Sequence, residues 1–196
     1  MSTSKVNERP RCGIIQRMRG CLRRFAGNRD GATAIEFTVL ALPFAALTFA
    51  ILESCISFAA QEVLANATDD IARQIRTGQI KKASITETSL KQAICDRLAI
   101  IVASGCPDSP DLVIDLQNSS TFAEAAQKAK VKLTGDDIDT TGFGASPGGA
   151  LTINTLKVFY RWPVITDFMR KQMSNLKDGK TLLFSTVTWR NEPFDD

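Results

Sequence analysis

Residues 29–52 read RDGATAIEFTVLALPFAALTFAIL, and the rest of the chain is organised around them. Gly31 closes a basic leader, and five residues later comes one acid, Glu36. Phe37 to Leu52 then runs for 16 residues without a charge. As a helix that run is about 24 Å long, at about 1.5 Å per residue, short of the roughly 30 Å hydrocarbon core of a bilayer. Counted from Ala32 the stretch has 21 residues and is long enough to cross, with Glu36 near one interface and Glu53 marking the other. An acid at the head of such a run costs about 2.5–3.5 kcal/mol on insertion scales, so Glu36 reads as functional. Pro43 should kink the helix, which membrane helices tolerate.

Charge is distributed asymmetrically about this stretch. Residues 1–31 hold Lys5, Arg9, Arg11, Arg17, Arg19, Arg23, Arg24 and Arg29 against Glu8 and Asp30, a net of +6 within an overall +3. Cationic flanks stay on the cytoplasmic side of an inserted helix, so the N-terminus should face the cytoplasm and residues beyond about 60 should be translocated. Residues 1–13 are polar and read as disordered. Ile14, Ile15, Met18, Cys21, Leu22 and Phe25 recur at helical spacing among arginines, the pattern of a basic amphipathic helix on an anionic membrane surface. Without interleaved aromatics this arm is not expected to bind nucleic acid.

Downstream, Leu64, Ala67, Thr68, Ile71 and Ile75 form a helical stripe among polar residues, and Gly78 is a natural stop. Ala32–Thr77 therefore reads as one helix, membrane-embedded first and amphipathic later. Ser84-Ile85-Thr86-Glu87 has the form of a capping box. It should open a second helix with the stripe Leu90, Ile94, Leu98 and Ile101, ended by Gly105. Asp111–Gln117 is a strand candidate, 118–130 fits a helix or a connection, and 135–149 is Gly- and Asp-rich and reads as a loop. In Thr155–Trp162, Leu156, Val158, Tyr160 and Trp162 alternate with Thr155, Lys157, Phe159 and Arg161, a half-buried strand that Pro163 ends or places at an edge. Asp178-Gly179 turns into a last strand, Thr181–Arg190.

The fold class is therefore α+β, a long N-terminal membrane-spanning helix followed by a small extracytoplasmic head of amphipathic helices on a short antiparallel sheet. The divisions are a leader (1–31), the long helix (32–78, in the membrane to about residue 53) and the head (79–196).

Cys95 and Cys106 are the two cysteines of the expected translocated part, with ten residues between them. In an oxidising compartment they are the candidates for a disulfide worth roughly 2–3 kcal/mol; two separate buried thiols are the alternative. The chain has no histidine, which removes the commonest general base and metal ligand. Asp108, Asp111 and Asp115, or Asp136, Asp137 and Asp139, lack the glycine and terminal glutamate of a calcium loop. No nucleophile motif or phosphate-cradling loop is present. No metal, cofactor or enzymatic activity is expected.

The string Gly31-Ala32-Thr33-Ala34-Ile35-Glu36-Phe37 resembles the prepilin-peptidase site of type IV pilins. The fuller GATAIEFTVLALPF is most similar to the TadE-like minor pseudopilins of the Tad/Flp pilus system, as is the tail Arg190-Asn191-Glu192-Pro193-Phe194. The resemblance implies a structural, assembly-initiating or priming component of an adhesion pilus in the bacterial inner membrane, with its head in the periplasm and incorporation in the pilus open. It implies cleavage between Gly31 and Ala32 by a prepilin peptidase. Glu36, at the fifth mature position with Phe37 behind it, would then pair with the freed α-amine of a neighbouring subunit. The partners implied are the peptidase, other pilins or pseudopilins and the inner-membrane pilus platform.

Two other readings compete with this one. One is an uncleaved single-pass protein whose outer domain binds a ligand or envelope component. The other is a secretory signal peptide cut after Ser57-Phe58-Ala59, releasing a domain that starts at Ala60.

Overall fold

A computed structural model describes residues 31–102, 106–135 and 137–194. The expected basic surface helix of residues 14–25, the stop at Gly105 and the acid Asp136 lie outside these residues. The chain divides into two compact units between Thr48 and Phe49.

The first described element, α1 (Ala32–Arg76), is a single 45-residue helix that continues through Pro43. Among the described residues its early part has no apolar cover: Phe37, Leu40, Leu42 and Phe44 are all about 70% exposed. Past Glu53 the helical stripe turns inward. Ala60, Leu64, Ala67, Ile71 and Ile75 are buried, and each fully buried Leu or Ile contributes about 1.5–3 kcal/mol. The helix stops where the sequence places the stop. Gly78 takes φ +72°, and the amides of Thr77, Gly78 and Gln79 bond back to the carbonyls of Arg73, Ile75 and Gln74.

The second helix, α2 (Glu87–Leu98), carries a capping box displaced by two residues from Ser84. Thr86 is the cap: its hydroxyl accepts from the Ser89 amide at 3.1 Å, and the Ser89 hydroxyl accepts from the Thr86 amide at 2.9 Å. Ser84 instead ends a short 3-10 turn, Lys82–Ser84, with its hydroxyl on the Lys81 carbonyl. Leu90, Ile94 and Leu98 are buried as the stripe requires, but the helix ends at Leu98, so Ile101 lies past its end. Cys95 on α2 is bonded to Cys106, which opens a 3-10 turn ahead of the sheet.

The remaining elements are β1 (Leu112–Ser119), α3 (Phe122–Lys128), β2 (Leu133–Thr134), β3 (Asp137–Ile138), β4 (Ala145–Ser146), β5 (Ile153–Pro163), α4 (Asp167–Met173) and β6 (Lys180–Arg190). The main sheet has the order β4-β1-β5-β6. β1, β5 and β6 are antiparallel neighbours, while β4 pairs parallel to β1, so the sheet is mixed rather than purely antiparallel. The register places Leu112, Ile114 and Leu116 opposite Tyr160, Val158 and Leu156, and Tyr160 opposite Leu183. That face, with Trp162 and Trp189, packs on the inner stripes of α1 and α2.

Alternation along β5 predicts a solvent-facing side, and here the structure differs. Thr155, Lys157 and Phe159 are buried as well. β5 is the inner strand between β1 and β6, and α3 with the 139–149 loop covers its second face. Phe143 from that loop stacks on Phe159 at 5.7 Å, with Phe184 on the neighbouring strand at 6.3 Å. The 135–149 stretch, expected as a loop, contributes the two short strands β3 and β4.

Candidate functional site

The residues singled out, Gly31, Ala32, Glu36 and Phe37, lie at or just before the start of α1. Gly31 sits in the 3-10 turn that leads into α1, and Ala32 is the first α-helical residue. A β-carbon built on Gly31 would meet no described atom within 4 Å, and its φ is outside the left-handed region. Neither space nor backbone conformation therefore requires glycine there. Gly78 is the contrast. It has a left-handed φ, and an added β-carbon would fall 2.6 Å from the ring of Phe194. Glu36 and Phe37 are exposed, Phe37 at 72%, and Glu36 has no hydrogen-bond or ion-pair partner among the described residues.

A second acid on the same helix behaves differently. Glu53 is only 5% exposed. Its carboxylate accepts from the backbone amides of Ile165 and Thr166, the latter at 3.1 Å, and from the Thr166 hydroxyl. Ser54 beside it is 3.9 Å from the Met173 sulfur. Three donors on one carboxylate offset the cost of burying it. They also fasten the β5–α4 connection to α1 next to the end of the apolar run. Glu53 in the sequence marks an interface; its partners, 112 and 113 positions away, leave no local signal.

Farther along, the Gln61 amide accepts from the Phe184 N–H and donates to the Phe184 carbonyl. It closes part of the β6 edge in place of another strand. The RNEPF tail fastens the far end of the helix. The Glu192 amide donates to the Arg76 carbonyl at 2.9 Å, and Phe194 lies on Gly78. Asn191 accepts from the Trp189 indole at 2.7 Å and donates to the carbonyls of Gly148 and Gly149. Helix α1 from Glu53 to Arg76, about 35 Å long at the standard rise, is thus tied at one end to the β5–α4 connection, at the other to the tail, and between them to β6 through Gln61.

The second face of the sheet carries a cleft of about 430 Å3 whose lining includes Asp115, Lys157, Lys128, Glu124 and Phe143. These charges are already paired. Lys157 pairs with buried Asp115 at 2.8 Å, donates to the Lys128 carbonyl and lies over the Phe143 ring. Asp115 also accepts from Gln117 and the Gly144 amide. Lys128, then the Ser120 amide and hydroxyl, outweigh desolvation and pull the Glu124 carboxyl down to about 2. Of the other acids weighed for calcium, Asp111 holds Lys180, Asp137 holds Arg161, and Asp139 accepts from the Thr141 amide.

The described residues thus form one helix long and apolar enough to cross a membrane, followed by a small α+β head. The family model of TadE-like proteins matches residues 31–73, the segment from the glycine through the apolar run into the buried stripe. That segment is therefore similar to TadE-like proteins, which suggests a component associated with the Tad pilus. No curated protein and no solved structure matches the chain.

Proposed function

We propose that this chain is a minor pseudopilin of a Tad/Flp adhesion pilus, with a structural role in initiating or priming assembly. A prepilin peptidase cuts between Gly31 and Ala32 on the cytoplasmic face of the inner membrane, and the head stands in the periplasm. The new α-amine of Ala32 and the carboxylate of Glu36 then neutralise one another between neighbouring subunits or platform partners. Each charge would otherwise be costly near lipid. Ala32 to Asp196 are 165 residues. By the resemblance, major subunits of such pili are little more than the helix, so a head of this size suits the minor class.

The observation that carries the reading is Gly31. No described residue makes a demand for glycine there, yet it directly precedes the first residue of α1, inside the family match. A peptidase cleft that admits little beyond hydrogen supplies the missing reason. Co-expression with a prepilin peptidase tests this. Wild type should shorten, and Gly31→Asp should remain at precursor length. A wild-type chain of unchanged length, with the peptidase active on a control pilin, would leave an ordinary anchor.

A further inference from the structure

We propose that residues 164–173, the end of the β5 connection together with α4, form a foot that rests in the lipid headgroup layer where α1 leaves the bilayer. The inference rests on the reading of α1 as a membrane helix. Glu53 fixes the height of this segment, since its carboxylate takes the Ile165 and Thr166 amides and the Thr166 hydroxyl. The exposed apolar surface of α1 does not stop at that height. Phe49, Ile51 and Leu52 lie before it and Ile56 and Phe58 after it, all between 48% and 74% exposed. A band of lipid-compatible surface therefore continues past Glu53, and the foot is fastened within it.

The composition of the foot suits the same layer. Ile165 is 70% exposed among the described residues. Exposed Arg170 and Lys171, with Lys177 following, outnumber Asp167 and Asp178. Apolar anchors beside cations are what an interfacial segment presents to anionic headgroups. The pinning also accounts for Glu53 itself. A bare carboxylate at this level would face partly desolvated surroundings, and the foot supplies its hydrogen bonds.

The test uses the full chain in vesicles of phosphatidylethanolamine and phosphatidylglycerol. Cys12, Cys21 and Cys55 are replaced by Ser, and single cysteines at Leu42, Ile165 or Leu151 carry an environment-sensitive fluorophore. Leu151 is the control. It is also exposed and apolar, but its carbonyl is held by Arg190 at the Arg76 end of α1. Headgroup nitroxide lipids should quench Ile165→Cys several-fold more than Leu151→Cys, with Leu42→Cys quenched from deep acyl positions. Adding Lys171→Glu and Lys177→Glu should reduce the Ile165 signal at least twofold. If Ile165 is as water-exposed as Leu151 while Leu42 is deep, the foot is wrong and the anchor stands. If all three report water, the membrane reading fails and the foot fails with it.

Discussion

Buried charge sets the largest single-residue effects in this protein. Lys157 and Asp115 are both nearly inaccessible, and each satisfies the other. Lys157→Met should therefore destabilise the protein by about 3–5 kcal/mol, because it strands a buried carboxylate. Adding Asp115→Leu should recover most of that loss, and thermal unfolding of both variants in detergent would show whether it does. A smaller effect belongs to Asp70. The Arg97 guanidinium holds its carboxyl below the usual range against the opposing pull of burial, with Arg73 assisting. A depressed folded pKa means stability that is present above the unfolded value, near pH 4, and lost as pH falls through the folded one. The pair is partly exposed, so the contribution is at most about 1 kcal/mol. Asp70→Asn should lower the neutral plateau of the stability curve by up to that amount and leave stability below the folded pKa little changed, so the acid limb flattens. Sequence alone did not expose the first pair: alternation placed Lys157 on an outer face, and only the tertiary cover from α3 and Phe143 makes it an interior residue.

Elements with a strong local period were the legible ones. The stripe Leu64, Ala67, Ile71, Ile75 marked α1 to within a residue of its end, because apolar positions three and four apart can share one face only on a helix. The alternating strands β5 and β6 were legible for the corresponding reason, a period of two. The cap of α2 slipped by two residues because Ser84 and Thr86 both offer a hydroxyl, and the 3-10 turn at Lys82–Ser84 decides between them. β4 was not legible: it is two residues long and exists only through pairing with β1. Two expectations belong to this scale. Gly78→Ala combines a left-handed φ with contact against Phe194, and should cost roughly 1–2 kcal/mol in thermal unfolding. Reduction of the Cys95–Cys106 bond, which closes the α2 connection onto the start of the sheet, should cost roughly 2–3 kcal/mol by the same measurement. A Gly78→Ala variant as stable as wild type would show that the tail does not hold the end of α1.

At the scale of the whole molecule, one helix serves two purposes along its length. Its first half offers apolar residues to the surroundings, and its second half gives the head the stripe around which α2 and the sheet assemble. Gly31, Ala32, Glu36 and Phe37 could be named from the sequence because the resemblance that implies cleavage is carried by neighbouring residues. The clamp at Glu53 was not, since it joins residues more than a hundred positions apart. The central claim is that the working protein begins at Ala32. The measurement that tests it most directly is the intact mass of the membrane-extracted protein, with sequencing of its N-terminal peptide. The account predicts a start at Ala32, with Glu36 then the fifth residue. A start at Met1 would leave an uncleaved anchor, one at Ala60 a secreted domain, and either would contradict the account.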